Sequence, residues 1–480
     1  MKSIPRYRTA IGRAGLSRPV RIAVEDGVIK KKSTIFDYGC GRGGDVKLFN
    51  KLGYECNGWD PSHRTAEKCV ESDVVNLGYV INVIEDPDER AETIIKAWGL
   101  AREILIVSAR LIEEESSLQG YKLHSDGVVT NIGTFQKFYS QDTLRNWISQ
   151  TLNENPVAAA PGVFYVFRNA EGRSAFLEER SRRIHAIRIE RAGELYKDHE
   201  TSLQSIVQFL SIRGRAPAEF ELENTEQLQK EFGRLKQAIR VVRLAIGDEQ
   251  WKEVAVQRAD DLVIYLALSQ FDSRPKLSEM SLPLQMDIKS FFSTYKNACA
   301  SADELLSRLG MEGLINIKCM ACEVGKMLPG SLYVHVDALG LLPVELRLFE
   351  GCAREYIGRV EGATLVKFDR FEPRISYLGY ADFDKDPHPK LLFSYSVNLQ
   401  TFRIKFRYYG DDANRPILHR KEAFIAKDDP RYAKFAKLTK SEERHGLYEK
   451  TSRIGYEKEW GDVLQRKGVQ IKGHRVVSSS

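Results

Sequence analysis

Phe36-Asp37-Tyr38-Gly39-Cys40-Gly41-Arg42-Gly43-Gly44-Asp45 decides the fold. The residues leading into it, Ser33-Thr34-Ile35-Phe36-Asp37, are a short apolar run of strand type, and 45–52 returns to helical spacing, so the glycines sit at a strand-to-helix turn. Glycines at such a turn let a ligand lie against the backbone and close to the helix N-terminus. Further along, 54–59 predicts a second strand ending at Asp60, and 74–84 a third. Acids and Pro87 suit the first turn of a helix over 85–100, and 104–108 is the next strand. Strands alternating with helices imply a parallel sheet covered on both faces, an α/β domain of Rossmann-like type.

Gly39, Gly41 and Gly44 also satisfy the dinucleotide pattern GxGxxG, so the glycines alone do not choose between NAD and S-adenosylmethionine. The acids do choose. A dinucleotide would bring a pyrophosphate against Asp37, whereas S-adenosylmethionine brings an α-ammonium and a sulfonium, for which a carboxylate is attractive. Asp60 is spaced to accept both ribose hydroxyls. Asp37, Gly39, Gly41, Gly43, Asp45 and Asp60 are the expected cofactor residues, and S-adenosylmethionine the expected cofactor.

At 480 residues and 42% hydrophobic content the chain is too long for one ordinary core. No apolar run approaches the ~18 residues needed to cross a bilayer, and the first residues lack the apolar core of a signal peptide. A cytoplasmic chain with no membrane contact is expected. The seven cysteines are scattered and read as reduced thiols; Cys319 and Cys322 lack a second pair at zinc spacing, so no metal is expected. The net charge of +6 sits at the ends: residues 1–32 hold nine Lys and Arg against two acids, and 431–480 twelve against six. Basic ends around a mildly acidic body suggest contact with a polyanion such as nucleic acid.

The expected organisation is a basic arm at 1–32, a cofactor domain at 33–169 closed by a helix over 134–151 and a strand over 162–168, a charged helical region at 170–310, and an α+β region at 311–480 assigned to substrate recognition.

The sequence resembles a class I methyltransferase, and more narrowly the DNA phosphorothioation-associated putative methyltransferase family. The narrower resemblance rests on Gly15-Leu16-Ser17-Arg18-Pro19, FDYGCGRGGD, GWDP, and VVNLGYVINVIEDPDER from Val74 to Arg90. It continues in Gly133-Thr134-Phe135-Gln136-Lys137-Phe138-Tyr139, Leu332-Tyr333-Val334-His335, Asp384-Lys385-Asp386-Pro387-His388-Pro389 and Pro416-Ile417-Leu418-His419-Arg420-Lys421-Glu422. It implies an S-adenosylmethionine-dependent methyltransferase and, as partners, the proteins of a DNA sulfur-modification system. From Asp60 to Asn82 there are only about twenty residues, too few for the usual class I complement, so one strand is expected to be short or missing. Asp73 is the nearest candidate for an adenine-contacting acid.

Methyl transfer is mostly positioning, with a base where the acceptor holds its proton tightly. The position that carries a (D/N/S)-PP-(Y/F) turn in amino-methylating enzymes reads Asn82-Val83-Ile84-Glu85 here, and no cysteine nucleophile stands there. Asn82 and Glu85 are the candidate catalytic residues, and Gln136 and Tyr139 candidate substrate contacts. His388, His419, Arg420 and Lys421 form a second polar constellation suited to reading phosphates. The rival readings are a catalytically silent S-adenosylmethionine-binding module and a small-molecule methyltransferase.

Overall fold

A computed structural model describes residues 4–10, 12–114, 121–449 and 454–478. The chain divides into two compact units, one of 1–168, 315–342 and 352–480, the other of 169–314 and 343–351.

The first unit holds a six-stranded sheet built from β1 (Thr34–Tyr38), β2 (Glu55–Trp59), β3 (Ser72–Gly78), β4 (Ala101–Ser108), β8 (Val157–Ala160) and β9 (Val163–Phe167), in the order β2-β1-β3-β4-β9-β8. A three-stranded sheet of β5 (Lys122–His124), β6 (Gly127–Val129) and β7 (Phe135–Gln136) lies between β4 and β8 in the chain. β1 to β4 are mutually parallel, and β9 runs antiparallel to β4. Their side chains are buried on both faces, as a parallel sheet under helices demands: Val74, Val75 and Leu77 of β3 and Leu105, Ile106 and Val107 of β4 have no exposed surface. The chain leaves β1 for β2 on one side and returns to β3 on the other. That reversal opens a crevice at the carboxyl ends of β1 and β3.

Between Trp59 and Ser72 there are turns but no strand, so β2 is the sheet edge and the expected missing strand is missing. β3 stops at Gly78, earlier than the apolar run predicts. Tyr79 takes a left-handed φ of 59° and donates its N–H to the Ser108 carbonyl, which turns the chain out of the sheet.

Three helices, α1 (Arg18–Glu25), α2 (Gly44–Lys51) and α3 (Pro87–Leu100), cover the sheet. α3 starts as the sequence predicts, with Pro87 at its first position and the Asp86 carboxylate accepting from the Asp88 and Glu89 N–H groups. The helix predicted over 134–151 is a correction. Phe135–Gln136 pairs with Gly127–Val129 as β7, and α4 (Gln141–Leu152) begins only after Ser140, whose hydroxyl caps the Thr143 N–H. The basic residues before β1 are built into the domain: α1 buries Val20, Ile22 and Ala23 against it.

The same unit carries an antiparallel sheet in simple sequential order, β10 (Lys326–Leu328), β11 (Ser331–His335), β12 (Leu365–Asp369), β13 (Arg374–Tyr380), β14 (Leu391–Asn398) and β15 (Ile404–Tyr408). After it come helices at Tyr432–Arg444 and Glu457–Arg466 and a hairpin of β16 (Val469–Lys472) and β17 (Arg475–Ser478). The second unit is helical. Its centre is ionic: the fully buried Arg258 meets Glu178 and Asp287, and Asp287 also takes Arg213 and Arg215. Among the described residues no helix is long and apolar enough to cross a membrane.

Candidate functional site

Gly39, Gly41 and Gly43 all lie at positive φ, 80°, 53° and 73°. At Gly39 the requirement is twofold, because a Cβ there would also come within 2.5 Å of the Val80 side chain. Trp59, ending β2, accepts the Gly39 and Cys40 N–H groups at 2.8 and 3.1 Å and ties the loop to the edge strand. Asp60 accepts from Gly41 N through Oδ2 at 3.0 Å and from Ser62 N and His63 N through Oδ1, each at 2.8 Å. Its carboxylate is thereby fixed beside the glycines, with acceptor capacity left on Oδ2.

Asp37 is buried at the end of β1, where it accepts from Asn76 Nδ2 at 2.8 Å. Burial, with the nearby Asp45 adding to it, pushes its carboxyl up to about 7. Asp45, in the first turn of α2, accepts from the Ser17 N–H at 2.7 Å. A buried carboxyl crowded by two other acids beside an opened backbone loop suits a cation. The donor set therefore fits S-adenosylmethionine: Asp37 and Asp45 toward its positive charges, Asp60 toward ribose hydroxyls, and the glycine backbone against its body. A pyrophosphate would be repelled by these carboxylates.

Asp73 does not belong to this group, which corrects its assignment to adenine. It stands near the amino end of β3, at the end of the parallel strands away from the glycine loop, and its Oδ2 accepts from the Thr34 N–H and hydroxyl at 2.9 and 2.8 Å. The acid was chosen by its distance along the chain from Asp60, but the missing strand moves it to the start of β3.

Beyond Tyr79 the segment 79–83 forms one wall of a cavity of about 650 Å³. Asn82 lines it and is 2% exposed; its Oδ1 has no hydrogen-bond partner among the described residues. Gln136 lines it from the other side, and its Nε2 is equally unpartnered. The Lys137 N–H donates to the Asn82 carbonyl at 2.8 Å and locks these two walls together. Arg8, Arg13, Arg18 and Arg110 also line the cavity, with Tyr121 and Phe138. The sequence reading missed these arginines because three of them belong to a basic segment that looked like a solvated arm.

Glu85 and Tyr139 are placed elsewhere. Glu85 does not line the cavity; its carboxylate accepts from Arg6 Nε at 2.7 Å while the rest of that guanidinium grips Glu89. Burial opposes ionisation of Glu85, but Arg6 outweighs it and brings the pKa below its ordinary value. It is an anchor for the N-terminal segment and a poor proton acceptor, which corrects its catalytic assignment. Tyr139 is buried beneath the site, packed on Trp147. Arg90, also missed, fixes the wall behind Asn82. Its guanidinium, 1% exposed, donates to the Ile84 carbonyl at 2.8 Å and to both oxygens of Asp126.

The C-terminal constellation does converge, but inward, which corrects its assignment to substrate. The His388 and His419 rings lie 4.6 Å apart and both meet Trp460. His388 Nε2 bonds Glu442 at 2.7 Å, and burial pushes His419 down to about 3. Lys421 is buried on the Phe435 ring, donates to the Phe383 and Asp386 carbonyls at 2.6 Å, and is lowered to about 8 by burial. Arg420 pairs with Glu443 over the Tyr448 ring. The His388, His419 and Lys421 side chains are thus buried within this part of the chain, and Arg420 is half-buried against Glu443.

No protein-family model matches the chain, and no curated protein sequence does. Among solved structures, it is similar to magnesium protoporphyrin IX methyltransferase (ChlM) from Synechocystis PCC 6803 with bound SAM, at 15% identity and a TM-score of 0.24 over 34% of this chain and 90% of that one. It is similar too to the CcbJ methyltransferase from Streptomyces caelestis, at 13% identity and a TM-score of 0.24 over 34% of this chain and 94% of that one. A third is 1,6-didemethyltoxoflavin-N1-methyltransferase from Burkholderia thailandensis, 13% identical with a TM-score of 0.23 over 34% of this chain and 79% of that one.

Proposed function

We propose that the chain is an S-adenosylmethionine-dependent methyltransferase acting on nucleic acid. The observation that carries the cofactor is the buried Asp37, with the half-buried Asp45 and Asp60, around a glycine loop at the reversal point of the sheet. When bound there, S-adenosylmethionine supplies a sulfonium methyl, transferred to an acceptor lone pair as the carbon–sulfur bond breaks with its electrons to sulfur. Asn82 holds the acceptor by its side-chain amide, and the Lys137–Asn82 backbone bond keeps that amide in place. With Glu85 occupied by Arg6, the acceptor's proton leaves to solvent. Nucleic acid as acceptor, in a phosphorothioation-linked system, is supported by the sequence resemblance and by the arginines of the N-terminal segment.

The test is transfer of labelled methyl groups to fractionated DNA, RNA and metabolites, with and without phosphorothioate. Asn82→Ala is expected to lower turnover about 10- to 100-fold while cofactor affinity stays within about threefold, because a contact made only to the acceptor acts through positioning. Full turnover in Asn82→Ala would remove that residue from the site; absence of label in every fraction would leave a silent binding module.

A further inference from the structure

We infer that the cavity next to the glycine loop is an acceptor site built for one nucleotide unit, its phosphate on arginines and its base edge on two buried amides. This rests on the methyltransferase reading and goes on to name what the cavity takes.

The arginines supply the first reason. Arg8, Arg13 and Arg110 open onto the cavity, and among the described residues none of them makes an ion pair with a carboxylate. Other guanidiniums of the unit are matched, among them Arg6 with Glu85 and Glu89, Arg90 with Asp126 and Arg431 with Asp429, while Arg42, Arg403 and Arg415 are not matched among the described residues. No described residue of the cavity wall is acidic. Three unmatched guanidiniums around one space attract an anion, and their forked geometry suits phosphate oxygens.

The amides supply the second, and they are independent of charge. Asn82 Oδ1 and Gln136 Nε2 are an acceptor and a donor on two residues that line this cavity, both buried and both without a hydrogen-bond partner among the described residues. Buried polar atoms of folded proteins are nearly always satisfied. A planar ring offering a donor and an acceptor on one edge satisfies both, as a nucleobase edge does. The parallel rings of Tyr121 and Phe138, with centroids 6.5 Å apart and planes 9° off, line the same space and give such a ring an aromatic surface. An apolar ligand would leave arginines and amides unpaired, and a cationic one would be repelled. The nucleotide is either free or a displaced unit of a strand, and both present the same base and phosphate.

The test uses the full chain and direct binding. Calorimetry would follow nucleoside 5′-monophosphates, the corresponding nucleosides, inorganic phosphate and short single-stranded oligonucleotides, with S-adenosylhomocysteine titrated separately. A mononucleotide or an oligonucleotide is expected to bind, and the phosphate-free nucleoside about tenfold or more weakly, the scale of a lost charged hydrogen bond. Arg8→Ala and Arg110→Ala are each expected to weaken binding about tenfold on that same scale, with S-adenosylhomocysteine unaffected and Lys405→Ala, on an exposed edge strand, neutral. Binding of mononucleotide names the free compound as the source, and binding of oligonucleotide alone names the strand. The inference is overturned if nucleosides bind as well as nucleotides, if nothing in the series binds, or if Lys405→Ala costs as much as the cavity variants. Loss of S-adenosylhomocysteine binding alone, with the cavity variants behaving as stated, would sink the cofactor reading and leave the nucleotide site standing.

Discussion

Asp37 is the residue on which the cofactor reading turns, and its environment gives it a measurable signature. Burial and Asp45 raise its carboxyl to about 7, so in the free protein it is largely protonated below neutrality. A bound ammonium favours the carboxylate, so binding draws the proton off. S-adenosylhomocysteine affinity is therefore expected to rise with pH between about pH 5.5 and 7.5, with proton release visible as a buffer-dependent heat, and Asp37→Asn should flatten both. Affinity that is level across that window in the native protein would show that Asp37 does not face the cofactor's charge. The sequence pointed to Asp37 as a cofactor contact because an acid ending a buried strand before a glycine turn has few structural duties. Lys421 was not legible in the same way. Its charge and its neighbours His419 and Arg420 suggested an exposed phosphate reader, and only the fold shows its ammonium capped by two backbone carbonyls.

At the level of elements, β1, β2, β4 and α3 follow from the sequence because short apolar runs and a proline-led acidic turn each leave one local solution. The 134–151 segment misled because its apolar spacing is helical throughout, while pairing with Gly127–Val129 captures its first residues as β7. That small sheet matters to the site, since it carries Gln136 and is fastened to α3 by Arg90 and Asp126. Arg90→Ala strips the buried Ile84 carbonyl of its donor and leaves a void, and is expected to cost about 2 to 3 kcal/mol of stability in a denaturant titration. It should also lower turnover more than S-adenosylhomocysteine affinity, because it loosens the acceptor wall and not the glycine loop. A stable variant with unchanged turnover would make the Arg90 link incidental.

Across the whole molecule, titration links the cofactor and C-terminal parts of the chain through stability. Burial lowers His419 to about 3; burial with the charge of Lys421 lowers His474 to about 4; and burial lowers His185 and His335 as well. These native rings bind fewer protons than the same rings in the unfolded chain, so their contribution is full above about pH 6.5 and is lost as pH falls toward the folded values. Asp37 and Asp260, both raised by burial, work in the opposite sense, native binding more protons between their unfolded and folded values, but they are two groups against four. The urea midpoint is expected to be lower at about pH 5 than at about pH 7.5, and a higher one at the acid end would contradict the buried neutral histidines. Described parts of the basic ends that suggested a polyanion in the sequence are folded, as α1 and as the helix Glu457–Arg466 around Trp460. The central claim is that the glycine loop and its acids take S-adenosylmethionine, and calorimetric titration of the full chain with S-adenosylhomocysteine and, separately, with NAD tests it most directly. One saturable site for S-adenosylhomocysteine and no heat from NAD is the predicted result; saturable NAD binding with no response to S-adenosylhomocysteine would contradict it.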